Sequence, residues 1–231
     1  MAESTARAAA LPVLRVPRDT LQDQVYRQLS DLILNGEIAP GQFVTIQGLS
    51  NAFGVSAMPV REALQRLTAA KALTVVSGRS IGVPPLTLER LHDLRRVRLE
   101  IESLAAVWAI GRFGGPDIER LEALVEAMAK ATGNGEVKLY LRANREFHFT
   151  IYRACGSDVL LGIIESLWLQ ISPFFHLLHG SGNYTAANAE HLAMLDAIRK
   201  GDDQAMCRAV RNDIEGAVAV LSGMLAEKSK L

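Results

Sequence analysis

The sequence predicts a mainly α protein, an N-terminal winged helix-turn-helix followed by an all-α six-helix bundle. Three observations carry this. About 65 residues after the start run helix, helix, tight turn, helix, hairpin. From Thr87 onward apolar residues recur only at helical spacing, with Gly-rich breaks between segments. The 231 residues exceed the ~150-residue soft prior for one domain, which favours two modest domains over one large one. The predicted division is a flexible tail over 1–18, a winged helix-turn-helix head over 19–85 and a helical domain over 86–231.

In the head, Thr20 to Asn35 places Leu21, Val25, Leu29, Leu32 and Ile33 on one helical face, with Thr20 able to cap it and Gly36 following its end. Ala39-Pro40-Gly41 marks a turn, Phe43 and Val44 suit a very short strand, and a second helix spans Ile46 to Phe53. Gly54-Val55-Ser56 interrupts, and a third helix runs from Ala57 to Lys71, burying Val60, Ala63, Leu64 and Leu67. Ser56 can cap this helix, and Pro59 fits a first turn because its missing N–H would have had no helical partner. Leu73 to Val76 and Ile81 to Val83, joined through Ser77-Gly78-Arg79-Ser80, read as a hairpin. Pro84-Pro85 then acts as a stiff linker.

The bundle segments are Thr87 to Ile110, Pro116 to Thr132, Val137 to Ala154, Asp158 to His179, Ala186 to Lys200 and Asp202 to Leu225. Leu91, Leu94, Ile101, Leu104 and Trp108 are predicted to face inward from the first of them, and Pro173 to kink the fourth. Trp108, Trp168, Phe174 and Phe175 suit core or dimer packing, and His92, His176 and His179 show no partner pattern.

Composition narrows the function. Hydrophobic residues are 49% and charged residues 22%, so a core can form and the chain is not a disordered tail. Lys plus Arg and Asp plus Glu are each 25, which excludes a polybasic protein that coats nucleic acid by charge alone. The head holds 8 basic against 6 acidic residues up to position 86, and the remainder 17 against 19. This small asymmetry has the sign expected for a DNA-reading head. Cys155 and Cys207 make neither a disulfide framework nor a thiolate zinc site, and suit a reducing, cytoplasmic setting. No apolar run approaching 18 residues is read, so a soluble protein without membrane contact is expected.

Leu34-Asn35-Gly36-Glu37-Ile38-Ala39-Pro40-Gly41, Leu49-Ser50-Asn51-Ala52-Phe53-Gly54-Val55-Ser56 and Pro59-Val60-Arg61-Glu62-Ala63-Leu64-Gln65-Arg66-Leu67 together resemble the N-terminal domain of GntR-family bacterial transcription regulators. The remainder resembles the FCD ligand-sensing domain of the FadR subfamily, through Arg98 to Glu102, Phe147-His148 and His191. In a helix-turn-helix the second helix lies in the major groove with its N-terminal residues at base edges. That helix opens at Ser56, which can also touch a phosphate. Arg61, about one turn in, can bond guanine O6 and N7 bidentately, or else pair with Glu62 or a phosphate. Relatives usually carry Arg and often Thr where this chain has Ala57 and Met58, an apolar pair suited to a thymine methyl. Gln47 stands where some relatives carry Arg. Arg79 matches wing residues that enter the minor groove, or is a solvated loop residue. With few basic residues per head a single domain would bind weakly, so a homodimer on a palindromic double-stranded DNA operator is expected.

The resemblance also implies a sensor centre. In FCD domains that bind metal, an Asp and a His one turn apart join two further His residues; the matching positions are Asn144, His148, His191 and Asp213. Two imidazoles and a carboxylate remain, a set able to hold a divalent metal (Zn, Ni, Mn or Fe) with Asn144 as a weak fourth contact. The alternative is an ordinary polar cavity without an ion. Arg98 is the candidate for a carboxylate effector, or pairs with Glu102 at i,i+4. Arg142, Arg145 and Cys207 are read as surface or non-ligand positions. The function expected is a ligand-responsive, sequence-specific transcription regulator of the repressor type, and not an enzyme. A metal-dependent enzyme using the two-His-one-Asp site and a non-sensing DNA-binding protein are the rival readings.

Overall fold

In a computed structural model, residues 20–77 and 80–228 are described. The tail expected over 1–18 and the hairpin tip with Arg79 lie outside them. The head comprises α1 (Leu21–Leu34), β1 (Phe43–Thr45), α2 (Ile46–Phe53), α3 (Ala57–Ala69), β2 (Thr74–Ser77) and β3 (Ser80–Gly82). Thr20 caps α1 by accepting from Asp23 N–H, and Thr45 caps α2 by accepting from Gly48 N–H at 3.0 Å. Gly54 closes α2 in the left-handed conformation at φ 65°, which lets the chain turn sharply into α3.

The strand at Phe43 does more than flank the turn. It pairs antiparallel with β3, giving a three-stranded sheet of order β1-β3-β2. Gly82 is required there, since a Cβ would stand 2.6 Å from the Gln42 carbonyl oxygen. The third helix stops at Ala69 rather than Lys71, and Lys71 takes φ 58°, outside helical space. Ser56 makes no side-chain cap, against expectation. Of the two N–H groups an N-cap hydroxyl can accept from, the third helical position is Pro59, which has none.

The bundle comprises α4 (Leu88–Ala109), α5 (Gly115–Asn134), α6 (Val137–Arg153), α7 (Asp158–Ile171), a 3-10 segment (Ser172–Leu178), α8 (Asn183–Lys200) and α9 (Asp203–Lys228). Here α4 packs on α9, α9 on α8, and α5 on α6. Pro173 changes the helix type: α7 ends at Ile171 and continues as a 3-10 segment. The stretch Asp158–Leu178 is also long and apolar enough to cross a bilayer, which corrects the sequence reading. Somewhat over half of its apolar window is buried within the fold.

One expectation about α4 fails. Leu91 and Leu94 are buried and Ile101 is half-buried, but Leu104 and Trp108 are 41% and 47% exposed. The helix carries two apolar stripes. Its inward face holds the charged Arg98 and Glu102 among Leu91, Ala105, Ala106 and Ala109, which disguises the phase of burial.

Head and bundle share one continuous apolar cluster, entered from the head by Leu29, Ile33 and Leu34 and from the linker by Val83 and Leu86. Polar contacts also cross the junction. Arg145 donates to Asp31 at 2.7 Å and to Asn35, Arg142 to Glu37 at 2.8 Å, and Arg90 to the Lys71 carbonyl at 2.7 Å. Arg142 and Arg145 are therefore junction residues rather than free surface.

Candidate functional site

On the head, Ser56, Ala57, Met58, Arg61 and Gln47 are all exposed, at the first turns of α3 and α2. Helix α3 is anchored beneath them by Val60, Ala63, Leu64 and Leu67, each almost fully buried. It is also tied to α1, where Arg66 donates to Asp23 at 2.9 Å and lies over the Tyr26 ring. Arg61 forms no pair with Glu62 or any other described residue, so its guanidinium is available to an outside acceptor. Gln47 is held by Asn51, to which it donates at 2.9 Å.

The second constellation lies inside the bundle. Helix α6 aligns Tyr140, Asn144, His148 and Tyr152 at intervals of four, on one buried face. His191 comes from α8 and Asp213 from α9. The His148 and His191 Nε2 atoms are 3.2 Å apart; Asp213 stands 3.4 Å from the first and 3.7 Å from the second. All three ligating atoms lie within 4.8 Å of one another. Asn144 lines the same cavity with its amide unpaired.

Arg98 makes the i,i+4 pair with Glu102. It is 3% exposed and its Nε donates to Glu102 at 2.5 Å, while its Nη1 is buried without a partner. Glu102, wholly buried, is a hub that also accepts from the Tyr152 hydroxyl at 2.6 Å and the Trp168 indole at 3.1 Å. Trp168 is thus both core and polar support. The cavity volume is about 30 Å³, bounded among others by Arg98, Tyr140, Asn144, Asn183 and Tyr184. That admits a water or an ion, since one water needs roughly 10–15 Å³, but not an organic acid of several atoms without side-chain movement.

Electrostatics follow from burial. Desolvation, reinforced by the Arg98 charge, pushes the His148 pKa down to about 3. His191 is lowered strongly by the same burial and by His148. Desolvation raises Asp213 to about 7, against the pull of Arg98. Burial opposes the Arg98 charge, but Glu102 outweighs it and holds the pKa above its ordinary value. Both imidazoles are therefore neutral at physiological pH, the form that ligates a metal.

Glu102 as a hub, Tyr152, Asn183 and Tyr184 were not singled out from sequence. Tyr140 and Tyr152 extend the four-residue spacing of Asn144 and His148, so that signal was present. Asn183 and Tyr184 open α8 three residues before the predicted start, in a Gly-Ser-Gly-Asn stretch that reads as loop.

Comparison with known proteins identifies both domains. Residues 21–83 match the family model for bacterial regulatory proteins of the gntR family, and residues 93–216 match the FCD domain. The chain is 31% identical over 188 residues to the HTH-type transcriptional regulator McbR of Escherichia coli K12, covering 80% of this chain and 85% of McbR. It is 28% identical over 154 residues to the transcriptional repressor GlaR of the same organism, covering 62% and 67%. The solved structure of E. coli McbR superposes with a TM-score of 0.82 at 26% identity, covering 89% of this chain and 99% of that one. A regulator structure from Rhodococcus sp. RHA1, at 22% identity and TM-score 0.71, shares the fold. These relatives are transcription regulators rather than enzymes. The chain belongs to the GntR family of bacterial transcription regulators, with an FCD domain behind its DNA-binding helix-turn-helix.

Proposed function

We propose that this regulator is a homodimeric, metal-loaded sensor of a small carboxylate, acting as a repressor in the cytoplasm. The observation that carries the reading is the convergence of His148, His191 and Asp213 inside a bundle where one Arg98 N–H is buried with no partner among the described residues. Two neutral imidazoles and a carboxylate suit Zn, Ni, Mn or Fe, with positions left for Asn144 and an acid. The metal would offer a Lewis-acidic contact to the acid, and Arg98 Nη1 a charge-assisted hydrogen bond. Both ligands favour a compact anion, and the small volume means that binding displaces the surrounding helices.

On the DNA side, Ser56, Ala57, Met58 and Arg61 at the start of α3 are assigned to the major groove, with Gln47 beside them. The free Ser56 hydroxyl is suited to a phosphate. Arg79 at the wing tip is assigned to the minor groove on the family likeness alone. Dimerisation is supported by the second stripe of α4: Val97, Leu104 and Trp108 are exposed, as are Val159 and Ile163 on the adjacent α7. Several large apolar side chains left exposed on two packed helices suit a surface covered by a second copy.

Coupling has a physical route. The same helix, α6, presents Asn144 and His148 to the cavity, Arg145 to Asp31 of α1 and Arg142 to Glu37 in the turn after it. Displacing α6 strains these ion pairs and, with the Val83–Leu86 linker, changes the spacing of the two reading helices. A ligand shifts that equilibrium only by its difference in affinity for the two arrangements.

The test is a release assay. Zinc-loaded protein on a duplex selected from a random pool is challenged with a panel of small mono- and dicarboxylates. At least one is expected to lower DNA affinity five-fold or more for the native protein and not for Arg98→Gln. If no acid alters DNA binding or thermal stability, the sensor reading fails and a non-sensing DNA-binding protein takes its place.

A further inference from the structure

We propose that Tyr152, held by Glu102, is a positioning residue that fixes His148 in its Nδ1–H form and so leaves Nε2 free as a metal donor. The inference deepens the metal reading above and rests on it.

The argument is a count of protons along a buried chain. Glu102 accepts from the Arg98 guanidinium, from the Trp168 indole N–H and from the Tyr152 hydroxyl. Arg and Trp are donors only, so the carboxylate is committed as an acceptor. The single proton of Tyr152 therefore points to Glu102, across 2.6 Å. What remains on the phenol oxygen is lone pairs. His148 Nδ1 lies 3.2 Å from that oxygen, and only an N–H there makes a favourable contact. A neutral imidazole carries one N–H, so once Nδ1 holds it, Nε2 presents a lone pair. That lone pair faces His191 Nε2 at 3.2 Å and Asp213 at 3.4 Å, the convergence a cation needs.

Each link is rigid. Glu102 and Tyr152 are wholly buried, and His148 is nearly so. Tyr152 is one turn beyond His148 on α6, and Glu102 reaches Tyr152 from α4. Partners of this type orient metal-ligating histidines and commonly change metal affinity 10- to 100-fold when removed.

The experiment uses the full-length protein and the variant Tyr152→Phe, which keeps the ring and deletes the hydroxyl. Long-range ¹H–¹⁵N correlation of the histidines in chelator reports the tautomer without metal, and competition against a chromogenic chelator reports zinc affinity. The native protein is expected to show His148 protonated at Nδ1. The variant is expected to show the proton redistributed between the two nitrogens and zinc binding at least ten-fold weaker. An Nε2–H tautomer in the native protein overturns the proposal, and needs no variant to fold. So does a variant with unchanged tautomer and zinc affinity, in which Tyr152 only packs. If the native protein shows Nδ1–H yet binds no zinc, the metal reading itself fails, and the positioning role falls with it.

Discussion

At the scale of single residues, the head is controlled by small departures from ordinary helix chemistry. Ser56 sits at an N-cap without capping, and Pro59 supplies no N–H at the third helical position. Ser56→Ala is therefore expected to change stability by under about 0.5 kcal/mol, where a working cap is worth about 1 kcal/mol. Urea denaturation checks the first figure, and a weaker complex with DNA checks the phosphate contact. Burial displaces the titration of the residues around the bundle cavity. The folded-state pKa of His148 is depressed to about 3, so the unfolded chain binds a proton that the native state refuses. Its contribution to stability is fully present above pH ~6.5 and is lost as pH falls toward that depressed value. In chelator, native protein is thus expected to lose stability relative to His148→Gln by at most about 1.4 kcal/mol per pH unit, between pH 6.5 and 4. Parallel denaturation curves for the two proteins over this range would contradict the burial account.

At the scale of elements, the sequence was most legible where one signal dominated. Caps, glycines and periodicity agree from Thr20 to Phe53, and α2 falls where its pattern places it. Two places resisted. Along α4, two apolar stripes and an inward-facing Arg98–Glu102 pair leave the phase ambiguous, so Leu104 and Trp108 read as core although they face out. The site was legible by likeness at Asn144, His148, His191 and Asp213, whereas its supports Glu102 and Tyr152 depend on side-chain geometry between helices. The outward stripe makes its own prediction. Leu104→Glu with Trp108→Glu is expected to convert dimer to folded monomer in sedimentation equilibrium and to weaken operator binding sharply. A dimer that persists would locate the interface elsewhere. For α6, Arg142→Ala with Arg145→Ala removes two exposed ion pairs whose stability value is at most about 1 kcal/mol each. The double variant should keep its melting behaviour while DNA binding loses most of its response to the acid. An intact response would exclude these pairs as the route between cavity and head.

At the scale of the whole molecule, a reading head and a polar-centred bundle are joined through one apolar cluster and a short belt of ion pairs. The neutral net charge leaves little non-specific attraction to DNA, so occupancy depends on a few directed contacts and on two heads acting together. That places the greatest weight on Arg61, exposed, unpaired and one turn into α3. Fluorescence anisotropy with a labelled duplex chosen by the native protein from a random pool, at moderate ionic strength, weighs it directly. Arg61→Ala is expected to fold and dimerise normally and to bind that duplex about 10- to 100-fold more weakly, the loss of one bidentate base contact. Equal affinity of the two proteins for the selected duplex would contradict the assignment of α3 as the reading helix.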